Sequence, residues 1–355
     1  MPLVEKNLAD IVTLSRASAR MNTNSAGTLT AIASGAFGID YDPATLTVRG
    51  MPVEEQRTNL LTYNQQFDNA AWVKTTMTVT PNVGTAPDGT NTATTLTATG
   101  AGSVIQQAPT ISSGAAYAGA IWIKRRTGTG QVSLRVAELT LMPITVTSSW
   151  QRLQATNTSA STTGRFAVHL ATSGDEVDIW GAQLEAGSFA SSYMGETTTA
   201  AITRLADSLT IGTLSPWFNA VSGTMYVETE LVGLRSASSQ ITAFSDGTSS
   251  NRFGQFVTTG NLLQTVVTAG GVSQIGSLSQ PAVTAGTVYR YGLSYAANNV
   301  GAGLNGVDLG NDASVVLPTG LNVLAFSSNG SSQQSLWLRK FIYYPAIKNT
   351  QTLTA

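Results

Sequence analysis

Apolar residues in this chain recur at every second position, in short runs separated by turns, and that period limits what it can fold into. Ile121-Trp122-Ile123-Lys124, Val132-Ser133-Leu134-Arg135-Val136 and Phe166-Ala167-Val168-His169-Leu170 all alternate, as does Met225-Tyr226-Val227-Glu228-Thr229-Glu230-Leu231. A period of two sends successive side chains to opposite faces of a sheet. Turn signals stand between the runs: Pro87-Asp88-Gly89, Ser113-Gly114, Gly128-Thr129-Gly130 and Ser173-Gly174-Asp175. Turns about 8–12 residues apart point to sandwiches or jelly rolls rather than βαβ units. No segment carries a helical stripe of useful length. The expected fold class is all-β.

A length of 355 residues is long for one sandwich and suits two tandem modules with a small extra segment. Residues 1–57 read differently from the rest. Leu8-Ala9-Asp10-Ile11-Val12 suits a short strand or a turn of helix, and Asn22 to Ala36 is small and polar, broken by Gly27 and Gly35. Such a stretch makes a poor core by itself, so it is expected to be ordered by a partner or a neighbouring subunit. A first sandwich is expected over 58–200 and a second over 205–355, with the polar residues 197–201 as the boundary. In the second, Asn305-Gly306 suits a type I′ turn joining 301–304 to 307–309. The run Trp337-Leu338-Arg339-Lys340-Phe341-Ile342-Tyr343-Tyr344, ended by Pro345, reads as its closing strand.

Only 11% of residues are charged, while 42% are hydrophobic. The chain can therefore bury cores, but its surface must be wetted by Thr, Ser, Asn and Gln rather than by charge. The formal net charge is −1, and Lys124-Arg125-Arg126 is the one local basic run, so nucleic acid is not an expected partner. With no cysteine, neither disulfides nor thiolate metal sites are expected. The start Met1-Pro2-Leu3-Val4-Glu5-Lys6 shows no secretory signal, and no run reaches the ~18 apolar residues of a membrane span. The chain is expected to be made in a cytoplasm, without a membrane segment.

Several strings resemble phage head-spike and tail-fibre proteins. They are Gly38-Ile39-Asp40-Tyr41-Asp42-Pro43-Ala44, Glu54-Glu55-Gln56-Arg57-Thr58-Asn59-Leu60-Leu61, Phe67-Asp68-Asn69-Ala70-Ala71-Trp72 and Ala86-Pro87-Asp88-Gly89-Thr90. In that family a carbohydrate-binding-module-like jelly roll ends in a strand similar to Val177-Asp178-Ile179-Trp180-Gly181-Ala182-Gln183-Leu184-Glu185, followed by Ser191-Ser192-Tyr193. Residues 206–355 resemble the concanavalin-like (laminin-G-like) sandwich often found beside it, through Ser245-Asp246-Gly247-Thr248-Ser249-Ser250-Asn251-Arg252, Leu304-Asn305-Gly306 and Leu338-Arg339-Lys340-Phe341-Ile342-Tyr343-Tyr344-Pro345. The sequence departs from the family at Met194-Gly195-Glu196, where Ile and Pro are usual. The resemblance implies a virion-surface fibre, spike or capsid decoration subunit, attached to capsid or tail proteins through residues 1–57. It also implies self-association, with a trimer expected, and contact with host-surface polysaccharide.

Catalysis is weakly supported by residue types. The only histidine, His169, alternates with Phe166, Val168 and Leu170 and so falls on the wetter face, and no Gly-x-Ser-x-Gly elbow is present. Glycosidases need two carboxylates about 5–10 Å apart. Glu228 with Glu230 has suitable i, i+2 spacing, and Asp175, Glu176, Asp178 and Glu185 are the densest acidic group, but both patterns also describe ordinary strand faces. Asp88 with Asn91 and Asp246 with Asn251 would offer oxygen ligands to calcium, yet Asp-Gly is itself a turn signal. The chain is therefore expected not to be an enzyme and to carry no cofactor or metal. Sugar binding needs an exposed aromatic ring with amides and carboxylates around it. Trp217 and Phe218, after Pro216, and Trp122 in the first module are the expected contacts.

Overall fold

A computed structural model describes residues 11–276, 278–327 and 333–355. The fold is all-β. The first sandwich stacks two antiparallel five-stranded sheets. One runs, in spatial order, Met142–Ile144, Val132–Val136, Phe166–Leu170, Ser103–Gln107 and Val73–Thr75; the other runs Gln151–Thr158, Ala116–Thr127, Glu176–Ala186, Thr94–Ala98 and Met77–Thr80. The alternation seen in sequence fills the space between them. Ile121, Leu134, Phe166, Val168 and Ile179 are fully buried there, around Trp72, whose ring lies 4.9 Å from Phe67 and 6.3 Å from Phe166.

The second sandwich has two seven-stranded sheets. The first contains Thr13–Ser15, Ser208–Ile211, Val323–Phe326, Ser239–Ser245, Arg252–Val257, Leu263–Ala269 and Val272–Ser273, in that order. The second contains Val307–Asp312, Asn299–Leu304, Val288–Ala296, Ser222–Leu231, Leu336–Tyr344, Val48–Val53 and Asp40–Tyr41. The turn Asn305-Gly306 has φ of 48° and 80°, the two positive values that a type I′ hairpin requires. A short helix, Thr350–Thr354, follows the closing strand; the sequence carries too few turns there for a stripe to show.

Both sandwiches draw on the first 57 residues, which changes how that segment is understood. Residues 1–10 lie outside the described residues, and with them most of the Leu8-to-Val12 stretch. Residues 11–57 pack against their own chain. Thr13–Ser15 pairs with Ser208–Ile211, and Val48–Val53 pairs with Leu336–Tyr344. Val12, Met51 and Val53 are buried in the second core. The hairpin of Arg20–Thr23 and Leu29–Ile32 lies instead on the outer face of the first sandwich, where Leu29 packs with Trp122, Trp180 and Tyr193. Apolar positions too sparse to make a core of their own are thus distributed over two neighbouring ones. The polar stretch 197–201 is equally tied down: Thr197 is buried and its N–H donates to Asn64 Oδ1 at 2.7 Å. Ile202–Arg204 then pairs with Arg57–Asn59.

Candidate functional site

The outer face of the second sandwich carries small residues where other sheets carry bulk. Gly292, Ser294, Gly301 and Gly303 share this face on adjacent strands, so the end of the chain can lie directly on the backbone. A Cβ on Gly303 would stand 2.8 Å from the Thr350 carbonyl, and one on Gly292 would stand 3.1 Å from the Thr350 Cβ. Asn349 caps the helix by accepting from the Thr352 N–H at 2.9 Å, as a side-chain amide at an N-terminus should. The Gly306 N–H donates to Thr354 Oγ1 at 3.0 Å, which fastens the helix to the hairpin.

Beside this helix a groove of about 140 Å³ opens between two walls. Ser294, Gly301, Asp308, Gly310 and Asn311 form one; Lys348, Asn349 and Gln351 face them. Its depth comes from Gly301, where an added Cβ would meet Ser294 Oγ at 3.1 Å and Asn311 Oδ1 at 3.4 Å. Amides and a carboxylate on opposite walls offer both donors and acceptors to a ligand rich in hydroxyls.

Further along the same face lies a strip of charge. Tyr226, Glu228 and Glu230 alternate outward on Ser222–Leu231. A bulge in the pairing between Glu228 and Thr229 brings Arg339 beside both acids. Its Nε donates to Glu228 Oε1 at 3.1 Å, and its Nη1 is 3.6 Å from Glu230 Oε2. Arg290 Nε approaches Glu228 Oε2 at 3.8 Å from the opposite strand. The Tyr226 hydroxyl donates to that same oxygen at 3.1 Å. Burial, then the Glu228 charge, pushes the Tyr226 hydroxyl up to about 12, and burial raises Glu230 above the usual carboxylate range. At the edge, the Arg49 guanidinium stacks 4.7 Å over the Trp337 ring and pairs with Asp42 at 2.6 Å. Trp337 Nε1 donates to Asp40 Oδ2 at 2.9 Å, and burial raises Asp40. Asp42, Glu228 and Glu230 are each paired with Arg49, Arg290 or Arg339, so the strip's negative charge is largely matched. It suits neutral polar ligands better than polyanions.

The three aromatics expected to contact sugar do not come together, and each is used in packing. Trp122 is 4% exposed and covered by the N-terminal hairpin on the other sandwich. Trp217 and Phe218 sit half-buried against the second core. The Phe218 ring is stacked 4.8 Å from Phe244, and Trp217 lies edge-on to Tyr343 at 5.2 Å. A loop position after Pro216 suggested exposure; a concentration of aromatic rings at that corner overrode it.

The acidic groups sort in the same way. Asp178 is held by Lys124, Arg126 and the Thr95 hydroxyl, and Asp175 by Arg125 at 3.1 Å. Glu176 accepts from the Thr97 hydroxyl. Glu185 is buried, accepting from the Ser191 N–H and hydroxyl, and burial raises it. Asp88 and Asp246 cap their own turns, each accepting from the N–H and hydroxyl of the threonine two residues on. Among the described residues there is no group of three or more His, Asp or Glu able to hold a metal ion. His169 is half-buried and lowered by burial and by Arg135. Sequence reading passed over Trp337, Arg339, Arg290 and Arg49. Trp337 and Arg339 stood in a strand already recognised, but the bulge that turns Arg339 outward leaves no mark in the sequence.

No family model and no curated protein matches the chain. Similar solved structures include Trypanosoma rangeli sialidase in complex with the inhibitor DANA, at 10% identity and a TM-score of 0.35, over 41% of this chain and 25% of that one. The tandem CBM22-1-CBM22-2 of Paenibacillus barcinonensis Xyn10C is similar over 82% of this chain and 99% of its own, at 7% identity and a TM-score of 0.31. A SAP-like pentraxin from Limulus polyphemus is similar over 40% and 77%, at 11% identity and a TM-score of 0.28. The matched region spans about a quarter of that sialidase. The likeness is one of β-sandwich architecture. It corrects one expectation: the chain was expected not to be an enzyme, and the similar structures include sialidases, so that exclusion does not stand.

Proposed function

We propose that this chain is a glycan-binding subunit of a phage surface appendage, a head fibre or spike or a tail fibre, displayed on the virion. The observation that carries glycan binding is the polar groove over Gly301, with Asp308 and Asn311 facing Lys348, Asn349 and Gln351. Its volume and its mixture of donors and acceptors match a single sugar ring, and the charge-paired strip beside it extends the contact. The phage assignment rests on the sequence strings around Tyr41, Trp72 and Trp180. In this reading attachment to capsid or tail uses the N-terminal segment, where Phe37, Ile39, Leu46 and Val48 are exposed, and the subunit self-associates, as a trimer. Purely structural capsid decoration is the rival, and it expects no glycan affinity. Binding of the full chain to a glycan array decides between them. Asp308→Ala with Asn311→Ala, both at exposed positions, should weaken binding about tenfold through two lost hydrogen bonds; unchanged binding would remove the groove from the proposal.

A second reading, glycan cleavage, is favoured by Glu228 and Glu230 on one strand face. They are about 6.6–6.8 Å apart at Cα by strand geometry, with Glu230 raised by burial. Turnover of capsular polysaccharide that disappears in both Glu228→Gln and Glu230→Gln would establish it. Intact binding without turnover would dismiss it.

A further inference from the structure

Where the two sandwiches and the N-terminal segment meet, arginines are buried in unusual number. Arg20 and Arg204 are each 1% exposed and Arg16 is 2% exposed. Asp207 accepts from Arg16 Nη1 at 2.9 Å and from Arg20 Nη1 at 3.3 Å. Arg204 Nη1 is 3.8 Å from both Asp207 and Glu54. Arg152 reaches in from the first sandwich, within electrostatic range of Glu185 and Glu54. Four guanidiniums thus face three carboxylates. The flanking Arg57 and Arg235 share the single carboxylate of Glu55, so the excess is not removed at the margin.

Each nitrogen of Arg16 has a partner, in Asp207, the Ser18 carbonyl and the Ala33 carbonyl. The other three arginines are not fully partnered. Nε and Nη2 of Arg20, Nε and Nη2 of Arg152, and Nε and Nη1 of Arg204 are buried without a hydrogen-bond partner among the described residues. Six such buried donors, in a cluster where guanidiniums outnumber carboxylates, make a combination that a folded protein does not leave uncompensated.

We propose that this junction binds a small monovalent inorganic anion of the chloride type, held by the free N–H groups of Arg20, Arg204 and Arg152. An anion there would supply the acceptor that these guanidiniums lack and offset the excess of positive charge. Arg20 belongs to the N-terminal hairpin, Arg152 to Gln151–Thr158 and Arg204 to Ile202–Arg204, so the anion bridges three elements distant in sequence. Its place is remote from the groove and does not depend on glycan binding.

The test uses the full chain, unfolded thermally in sodium chloride and in sodium gluconate at matched ionic strength. Chloride should raise Tm by about 2 °C for each tenfold increase beyond saturation. Crystals grown with bromide should show an anomalous peak within hydrogen-bond reach of Arg20 and Arg204, and Arg152→Met should reduce the chloride dependence. If Arg152→Met does not fold, the wild-type comparison still decides. Equal Tm in the two salts, or bromide only at other sites, overturns the proposal.

Discussion

The backbone N–H of Glu54 donates to Asp207 Oδ2 at 2.8 Å, across 153 residues of sequence. One carboxylate thereby holds the end of the N-terminal segment, two buried arginines and the entry to the second sandwich. Asp207→Asn keeps the shape and removes the charge. It should cost about 3–5 kcal/mol, because Arg16 is left buried without a counter-ion and Arg20 with Glu54 alone. Urea unfolding followed by both far- and near-UV signals would measure the loss; a change within experimental error would show the pair to be energetically neutral.

Glu54 should shape the acid limb of stability. Burial opposes its charge, but Arg204, Arg20 and the Ser192 hydrogen bonds outweigh burial and hold it below its ordinary value of 4.5. An acid lowered on folding contributes stability that is complete above its unfolded value and is lost as pH falls through the folded one. Glu185 and Asp40, raised by burial, act in reverse, and their contribution is lost as pH rises through their folded values. Urea midpoints measured from about pH 3 to 7 in the wild type and in Glu54→Gln isolate the Glu54 contribution, which is lost towards acid. The midpoint of Glu54→Gln should lie below that of the wild type at neutral pH, and the gap should close as pH falls.

Gly303 has no room for a methyl group, since its Cβ would stand 2.8 Å from the Thr350 backbone. Gly303→Ala should displace the helix Thr350–Thr354 and cost about 1–3 kcal/mol by overpacking. Glycan affinity should fall with it, because residues 348–351 form one wall of the groove. Affinity that survives the change would place the ligand elsewhere.

Trp122 makes the opposite case. Buried among Leu29, Trp180 and Tyr193, it should cost about 3–5 kcal/mol when replaced by alanine. Glycan binding by the folded fraction should be unaffected. Selective loss of binding at unchanged stability would restore Trp122 as a sugar contact.

Trp337→Phe isolates one hydrogen bond. It keeps a ring for Arg49 to cover and removes the donor to Asp40 Oδ2. A stability loss of about 1–3 kcal/mol is expected, as for a buried acceptor left short of a partner, with a rise in the Asp40 pKa visible by NMR titration.

Strand periodicity made much of the fold legible. Ile121, Ile123, Val132, Leu134, Phe166 and Val168 were placed inward by alternation alone and are buried, and Asn305-Gly306 announced its turn. The site was far less legible. Trp217 and Trp122 were chosen by residue type and loop context, which carry no information about what packs against a ring. Arg339 joins Glu228 and Glu230 only because a bulge shifts its register, and Gly301 becomes a groove floor only because the chain end returns over it.

The sequence by itself determined the all-β class, the turns and the inward faces, because these depend on side-chain period and backbone φ, which are local. The tertiary structure alone decided that residues 11–57 are shared between two cores, that arginines gather around Glu54 and Asp207, and that a polar groove lies beside Thr350–Thr354. Those outcomes depend on which distant surfaces meet, and contacts between residues 16 and 207 or 54 and 204 leave no periodic trace in the chain.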